Sequence, residues 1–150
     1  MYIQVGDTKV PKWIIKRLEE WNRIEYKPKR KKIKKGRMNI PVYGFDTETL
    51  DGYAKLLCCS DGSYTLIEKP KDWLKFLTRH KFEYSLNFYW NIDFDFMALV
   101  KWLGEDIAKQ IYFQRKAKYE NYTIKWTPRK AFVIAKGKHR FYYFDLFQFY

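Results

Sequence analysis

The sequence predicts an α/β fold in which a mixed sheet carries packed helices. Between residues 40 and 150, segments with period-two alternation are interspersed with segments of helical period. Two of the strand segments are joined at Asp61-Gly62, a strong signal for a tight hairpin. The chain also has the means to fold: 150 residues, 47% hydrophobic and 21% aromatic, with few Gly or Pro. That is enough to bury a core and unlike the composition of a disordered chain.

Residues 10–26 predict a short amphipathic helix. Pro11 suits an early helical position, and Ile14, Leu18 and Trp21 recur at helical spacing among Lys16, Arg17, Glu19 and Glu20. Residues 27–37 follow as a basic run that includes Lys31, Lys32, Lys34, Lys35 and Arg37. Such a block repels itself. It reads either as a solvated linker or as a strip that contacts a phosphate backbone, and its composition also matches a nuclear localisation signal. Residues 1–39 are therefore expected to be a helix and basic linker, and residues 40–150 the folded domain.

Within the domain, 42–48, 54–60 and 63–68 read as strands, and Pro70 opens a helix reaching about Arg79 with Trp73, Phe76 and Leu77 on one face. Residues 82–88 read as a strand and 94–103 as a helix stopped at Gly104, whereas 106–116 fits helix or loop. Residues 119–126, 130–135 and 140–147 read as further strands, with a turn at Lys136-Gly137-Lys138. Three strands, helix, strand, helix and more strands suit a ribonuclease-H-like mixed sheet with flanking helices.

Lys and Arg number 30 against 17 Asp and Glu, a formal charge of +13. This surplus points to a polyanionic partner, nucleic acid ahead of an anionic membrane surface, since neutralising phosphates releases counterions. A solubility feature is the bland alternative. Cys58 and Cys59 are adjacent, so on a strand they point to opposite faces, and neither has a partner at metal-ligand spacing. Packed thiols in a reducing compartment, the cytoplasm, are expected. No apolar run is long enough to span a bilayer.

One constellation carries chemistry. Asp46 and Glu48 fall on one face of the first domain strand, about 7 Å apart, with Gly44 leaving room beside them. Two carboxylates so placed suit a pair of divalent ions. The spacing alone is weak, because the composition yields about two acid-x-acid pairs by chance. The second such pair, Asp93 and Asp95, opens a helix after a strand. Asp95 shares a helix face with Ala98, Leu99 and Trp102, which should turn it toward Asp46 and Glu48. Asp93 reads as a helix-terminus acid, a cap or dipole partner. His80, at a Lys-rich helix end, and His139, in a basic turn, are not expected to be catalytic.

The segment Tyr43-Gly44-Phe45-Asp46-Thr47-Glu48-Thr49 resembles the first exonuclease motif of family B DNA polymerases, Asp-x-Glu-Thr. Asn91-Ile92-Asp93-Phe94-Asp95 resembles the second, Asn-x-x-Phe-Asp, in order and spacing, and the likeness is closer to the protein-primed viral branch. The resemblance covers residues 40–150. It implies a DEDD exonuclease fold, metal binding and catalysis by Asp46, Glu48 and Asp95 with Mg²⁺ or Mn²⁺, and contact of Thr49, Asn91 and Phe94 with a single-stranded DNA 3′ end. An aromatic that stacks on a base beside an amide that holds the backbone suits sequence-tolerant binding. The basic strip would add DNA contacts.

The resemblance has departures. Residues 142–147 resemble the family strand ending in Asp, but Leu146 stands where Ser is common, so that DNA contact is not carried over. Asp145 is expected to be structural or near DNA, not a metal ligand. The third family motif, Tyr-x-x-x-Asp, does not occur in a suitable place before Tyr150, so an incomplete site is expected, in a fragment of a longer polymerase or a stand-alone remnant. Two readings follow: a 3′–5′ proofreading-type exonuclease of a viral or plasmid-like replication system, in the host cytoplasm if viral, or a catalytically incomplete DNA-binding module assisting a polymerase or replication protein. A virus structural protein on the same fold is a third and weaker reading.

Overall fold

The computed structural model describes residues 2–5, 8–13, 16 and 40–149. They divide into two units, residues 1–38 and 39–150. In the first, β1 (Tyr2–Val5) pairs antiparallel with β2 (Thr8–Pro11). Val10 and Pro11, expected to open a helix, thus close a strand; helical conformation begins at Lys12 and Trp13. The remainder of the expected helix and the whole basic run, including Lys31, Lys32, Lys34, Lys35 and Arg37, lie outside the described residues.

The second unit is an α/β domain built on a mixed eight-stranded sheet. Its strands are β3 (Val42–Leu50), β4 (Tyr53–Cys59), β5 (Tyr64–Leu66), β6 (Leu86–Tyr89), β7 (Lys116–Tyr119), β8 (Tyr122–Thr127), β9 (Ala131–Lys136) and β10 (His139–Asp145). Their order across the sheet is β5-β4-β3-β6-β10-β9-β8-β7. β6 lies between β3 and β10 and is parallel to both, while every other pairing is antiparallel. Helices α1 (Pro70–Leu77), α2 (Ile92–Val100) and α3 (Glu105–Gln114) complete it, with 3₁₀ turns at His80–Phe82, Lys101–Leu103 and Leu146–Phe149.

All three helices cover one face of the sheet. The alternation in β3 buries Phe45 and Thr47 and exposes Gly44, Asp46 and Glu48. Register carries the buried set across the strands: Phe45 lies opposite Cys59 and Tyr89, and Thr47 opposite Leu57. Phe45 packs edge-on against Phe82 and Tyr143 and stacks on Tyr89, while Phe96 of α2 stacks on Phe132. The Tyr143 hydroxyl donates to the Leu77 carbonyl and ties β10 to α1. Each buried aromatic of this kind contributes about 1.5–3 kcal/mol through removal of apolar surface from water. No helix among the described residues is long and apolar enough to cross a membrane.

Two of the expected strands differ from the sequence reading, and the helix-or-loop alternative at 106–116 resolves to helix. Phe82 is not in a strand: its fully buried ring ends a 3₁₀ turn among Tyr43, Phe45 and Phe76, and β6 begins only at Leu86. Residues 119–126 are not one strand, because Glu120 takes a left-handed φ of 50° and splits them into the β7–β8 hairpin. Residues 105–114 are helical, closed by Arg115 in the left-handed region at φ 64°. The cysteines behave as expected, with Cys59 buried and Cys58, on the opposite face, half-buried.

Candidate functional site

The parallel pairing of three strands ends at one level, although β3 itself runs on to Leu50 beside β4. Phe45 of β3, Tyr89 of β6 and Asp145 of β10 sit side by side in register. Whatever follows each of them in the chain is therefore delivered to one end of the sheet. After Phe45 comes Asp46-Thr47-Glu48; after Tyr89 come Trp90, Asn91 and helix α2; after Asp145 comes the turn Leu146–Phe149. Ligands of open α/β sheets bind outside the carboxyl ends of strands, where neighbouring connections diverge. β3 is at such a point, with antiparallel β4 on one side and parallel β6 on the other.

A cleft of about 400 Å³ opens there, lined by Gly44, Asp46, Cys58, Phe88, Trp90 and Leu146 among others. The room at Gly44 does not depend on its being glycine, since an added Cβ would meet only Ser60, at an ordinary 3.8 Å. The Ser60 hydroxyl accepts from the Gly44 amide at 3.0 Å, and the Ser60 amide donates to the Gly44 carbonyl at 2.8 Å. This fixes the β3 backbone immediately before Asp46. Just beyond Glu48 the β3–β4 pairing slips, with Glu48 opposite Leu56 and Thr49 opposite Ala54. Bulges of this kind re-aim side chains beside functional sites.

Asp95 is only 5% exposed. Burial pushes its carboxyl up to about 6, the Thr47 hydroxyl offsets part of this, and the negative charge of Asp46 pushes further upward. The charge of Asp46 is thus felt at Asp95. Glu48 is exposed on the same strand face as Asp46, but Asp95 meets β3 through Thr47, the residue between them. Period two explains this: Thr47 is the member of the triplet that faces the helices. Thr47 Oγ1 and Tyr89 Oη are buried near Asp95, and neither completes a hydrogen bond of good geometry. A buried hydroxyl without a partner costs about 1–3 kcal/mol.

Among the described residues, no group of three or more His, Cys, Asp or Glu side chains is close enough to hold a metal ion. Of the three expected ligands only Asp46 lines the cleft, and what speaks for a divalent ion is donor chemistry alone: hard carboxylate oxygens suit Mg²⁺ or Mn²⁺ better than Zn²⁺.

Other expected residues find definite places. Asn91 caps α2 in the left-handed conformation, at φ 55°, which Asn tolerates better than most residues. Phe94, in the first turn, is 63% exposed. Thr49 is half-buried past the register slip. Asp145 is buried and accepts from the Asn91 amide and the Phe147 amide, each at 3.0 Å, so it holds α2 and the last turn to the end of β10. Asp93 does not cap its own helix. Its carboxylate accepts from Trp126 Nε1 at 3.0 Å and from the Arg129 amide at 2.9 Å, and so fixes the β8–β9 turn to α2. His80 opens a 3₁₀ turn instead of closing a helix, and both histidines flank Glu83, His139 at 2.8 Å and His80 at 3.6 Å.

Sequence reasoning missed Thr47 and Tyr89, the polar lining beneath Asp95. Thr47 was readable as the inward member of Asp46-Thr47-Glu48; Tyr89 was one apolar-looking aromatic among many. No protein-family model, curated protein or solved structure matches this chain.

Proposed function

We propose that residues 40–149 form a ribonuclease-H-like, metal-dependent nuclease domain that acts at the 3′ end of single-stranded DNA. The carrying observation is that Asp95, buried on α2 against Thr47, feels the charge of neighbouring Asp46 where the parallel pairing of β3, β6 and β10 ends. A carboxylate buried beside another negative charge, as Asp95 is, is a candidate for a functional role. The strand order β5-β4-β3-β6-β10, with β3, β6 and β10 parallel, is compatible with a ribonuclease-H-like core. Asp46, Glu48 and Asp95 would supply the oxygens for Mg²⁺ or Mn²⁺, which when bound activates a water and offsets phosphate charge. Exposed Phe94 would stack on a base, and Asn91 and Thr49 would position the terminal nucleotide.

The test is digestion of 5′-labelled single-stranded DNA with Mn²⁺, beside a variant carrying Asp46→Asn and Glu48→Gln. Shortening from the 3′ end that the variant lacks supports the reading. Absence of cleavage, or cleavage unchanged in the variant, sinks it. A second reading, a module of a replication apparatus that grips DNA without cutting it, is favoured by a separate observation. Residues 115–140 hold nine Lys and Arg against one acidic residue, Glu120.

A further inference from the structure

We propose that the face of the sheet left uncovered by the three described helices is a lane for single-stranded nucleic acid, running from lysines on β7 and β8 over aromatics on β10 and β6 to the cleft at Asp46. The proposal rests on the nuclease reading only for what happens at the end of the lane. All three helices pack on the other face, through Ile111, Ala98, Leu99, Trp73 and their neighbours. On the open face, alternation exposes Lys116 and Lys118 of β7 and Lys125 of β8, while Ala117, Ile124 and Trp126 between them turn to the core.

Register places Lys116 directly opposite Lys125. Like charges facing each other across antiparallel strands are destabilising, and among the described residues none of these three lysines forms an ion pair with a carboxylate. A fold that keeps such a pair without a counter-charge is suited to receiving one from outside. Beside Lys125 comes Val133 and then Tyr142. Tyr142 is 45% exposed, and its ring lies parallel to that of Phe144, 8° between planes, with centroids 6.3 Å apart. Phe144 adjoins Phe88 at 6.2 Å, and Phe88 lines the cleft with Asp46. From β7 to β3 is five inter-strand steps, about 24 Å. That span takes several nucleotides of an extended strand.

Lysines that neutralise phosphates, followed by flat rings that accept any base, are the two parts of sequence-tolerant single-strand binding. A duplex would present its bases to itself and leave the rings unused. A second copy of this chain would bring like charge onto like charge.

The test measures binding of fluorescein-labelled dT20 by anisotropy in EDTA, so that cleavage plays no part, over a range of salt. The variants are K116T/K118T/K125T, with Thr chosen for its strand propensity, and Tyr142→Ala. The triple variant should bind at least tenfold more weakly at moderate salt, and the log–log salt slope should shrink by about 2. Tyr142→Ala should weaken binding roughly 5- to 100-fold with the slope unchanged. Thermal midpoints verify folding; the triple variant should melt no lower than wild type, since a like-charge pair is relieved. Unchanged affinity and slope in a folded triple variant overturn the lane. So does lysine-dependent binding to phosphatidylserine vesicles without binding to dT20, or a dimer that dT20 does not compete with. Loss of cleavage alone, with these binding results intact, would count against the nuclease reading and not against the lane.

Discussion

Replacing Asp95 by Asn should make the protein more stable at neutral and alkaline pH and leave it nearly unchanged in acid. The carboxyl has its pKa raised from 3.8 to about 6 in the folded protein, first by burial and further by Asp46. A carboxyl raised in this way holds its proton in the folded state over a range where the unfolded chain has lost it. Stability contributed by the group is therefore greatest below the unfolded value, falls as pH rises from about 4 to about 6, and is level above that. Two pKa units correspond to about 3 kcal/mol. With Asp95 only 5% exposed, solvent screening removes little of this. Asn cannot ionise, so the variant escapes the whole penalty, and its advantage over wild type should grow by about 2 kcal/mol between pH 4 and pH 8. Urea unfolding at both pH values reads this as a midpoint separation on the order of 1 M. Mg²⁺ at millimolar concentration should stabilise wild type at pH 8 and leave Asp95→Asn untouched, because a bound cation reverses the sign of the local field. A difference between the proteins that is the same at pH 4 and pH 8 would refute the argument.

Further outcomes follow from the framework around the site. Asp145→Ala removes the acceptor of the Asn91 and Phe147 amides; it should cost about 2–4 kcal/mol in urea unfolding and loosen the start of α2, visible as faster amide exchange at Asn91. Asp93→Ala leaves Trp126 Nε1 and the Arg129 amide without their acceptor; a loss of about 1–3 kcal/mol with a shift in tryptophan emission is expected. Gly62→Ala forces a Cβ onto a backbone with φ +87°, where nothing crowds it but the conformation itself disfavours it, so about 1–2 kcal/mol should be lost.

Much of this architecture was legible in the residues, and the exceptions have physical causes. Asp61-Gly62 marked the β4–β5 turn because its signal is local; Ser63 and Lys81 both bond the Asp61 carboxylate and hold it well below the usual range. Asp46-Thr47-Glu48 and Asn91–Asp95 were visible as motifs because period two and helical period are properties of short segments. Which of the three residues at Asp46-Thr47-Glu48 would meet Asp95 was not, since that depends on the face α2 covers. The hairpin at Glu120 was missed because a non-glycine residue supplies the left-handed turn. Its loss concealed the Lys116–Lys125 pairing, which exists only once register is known. The denser basic run at 27–37 stands out in the sequence because its signal is compositional. Asp93 was assigned to its own helix because capping is a local rule, whereas its partners lie 33 and 36 residues away.

The proposed nuclease site requires Asp46, Glu48 and Asp95 to serve one cation. Electron paramagnetic resonance of Mn²⁺ titrated with the protein at pH 8 tests it most directly. The free Mn²⁺ signal should fall with wild type, and Asp46→Asn, Glu48→Gln and Asp95→Asn should each weaken this by tenfold or more. Mn²⁺ that stays free beside wild type, or that is bound equally by all four proteins, would contradict it.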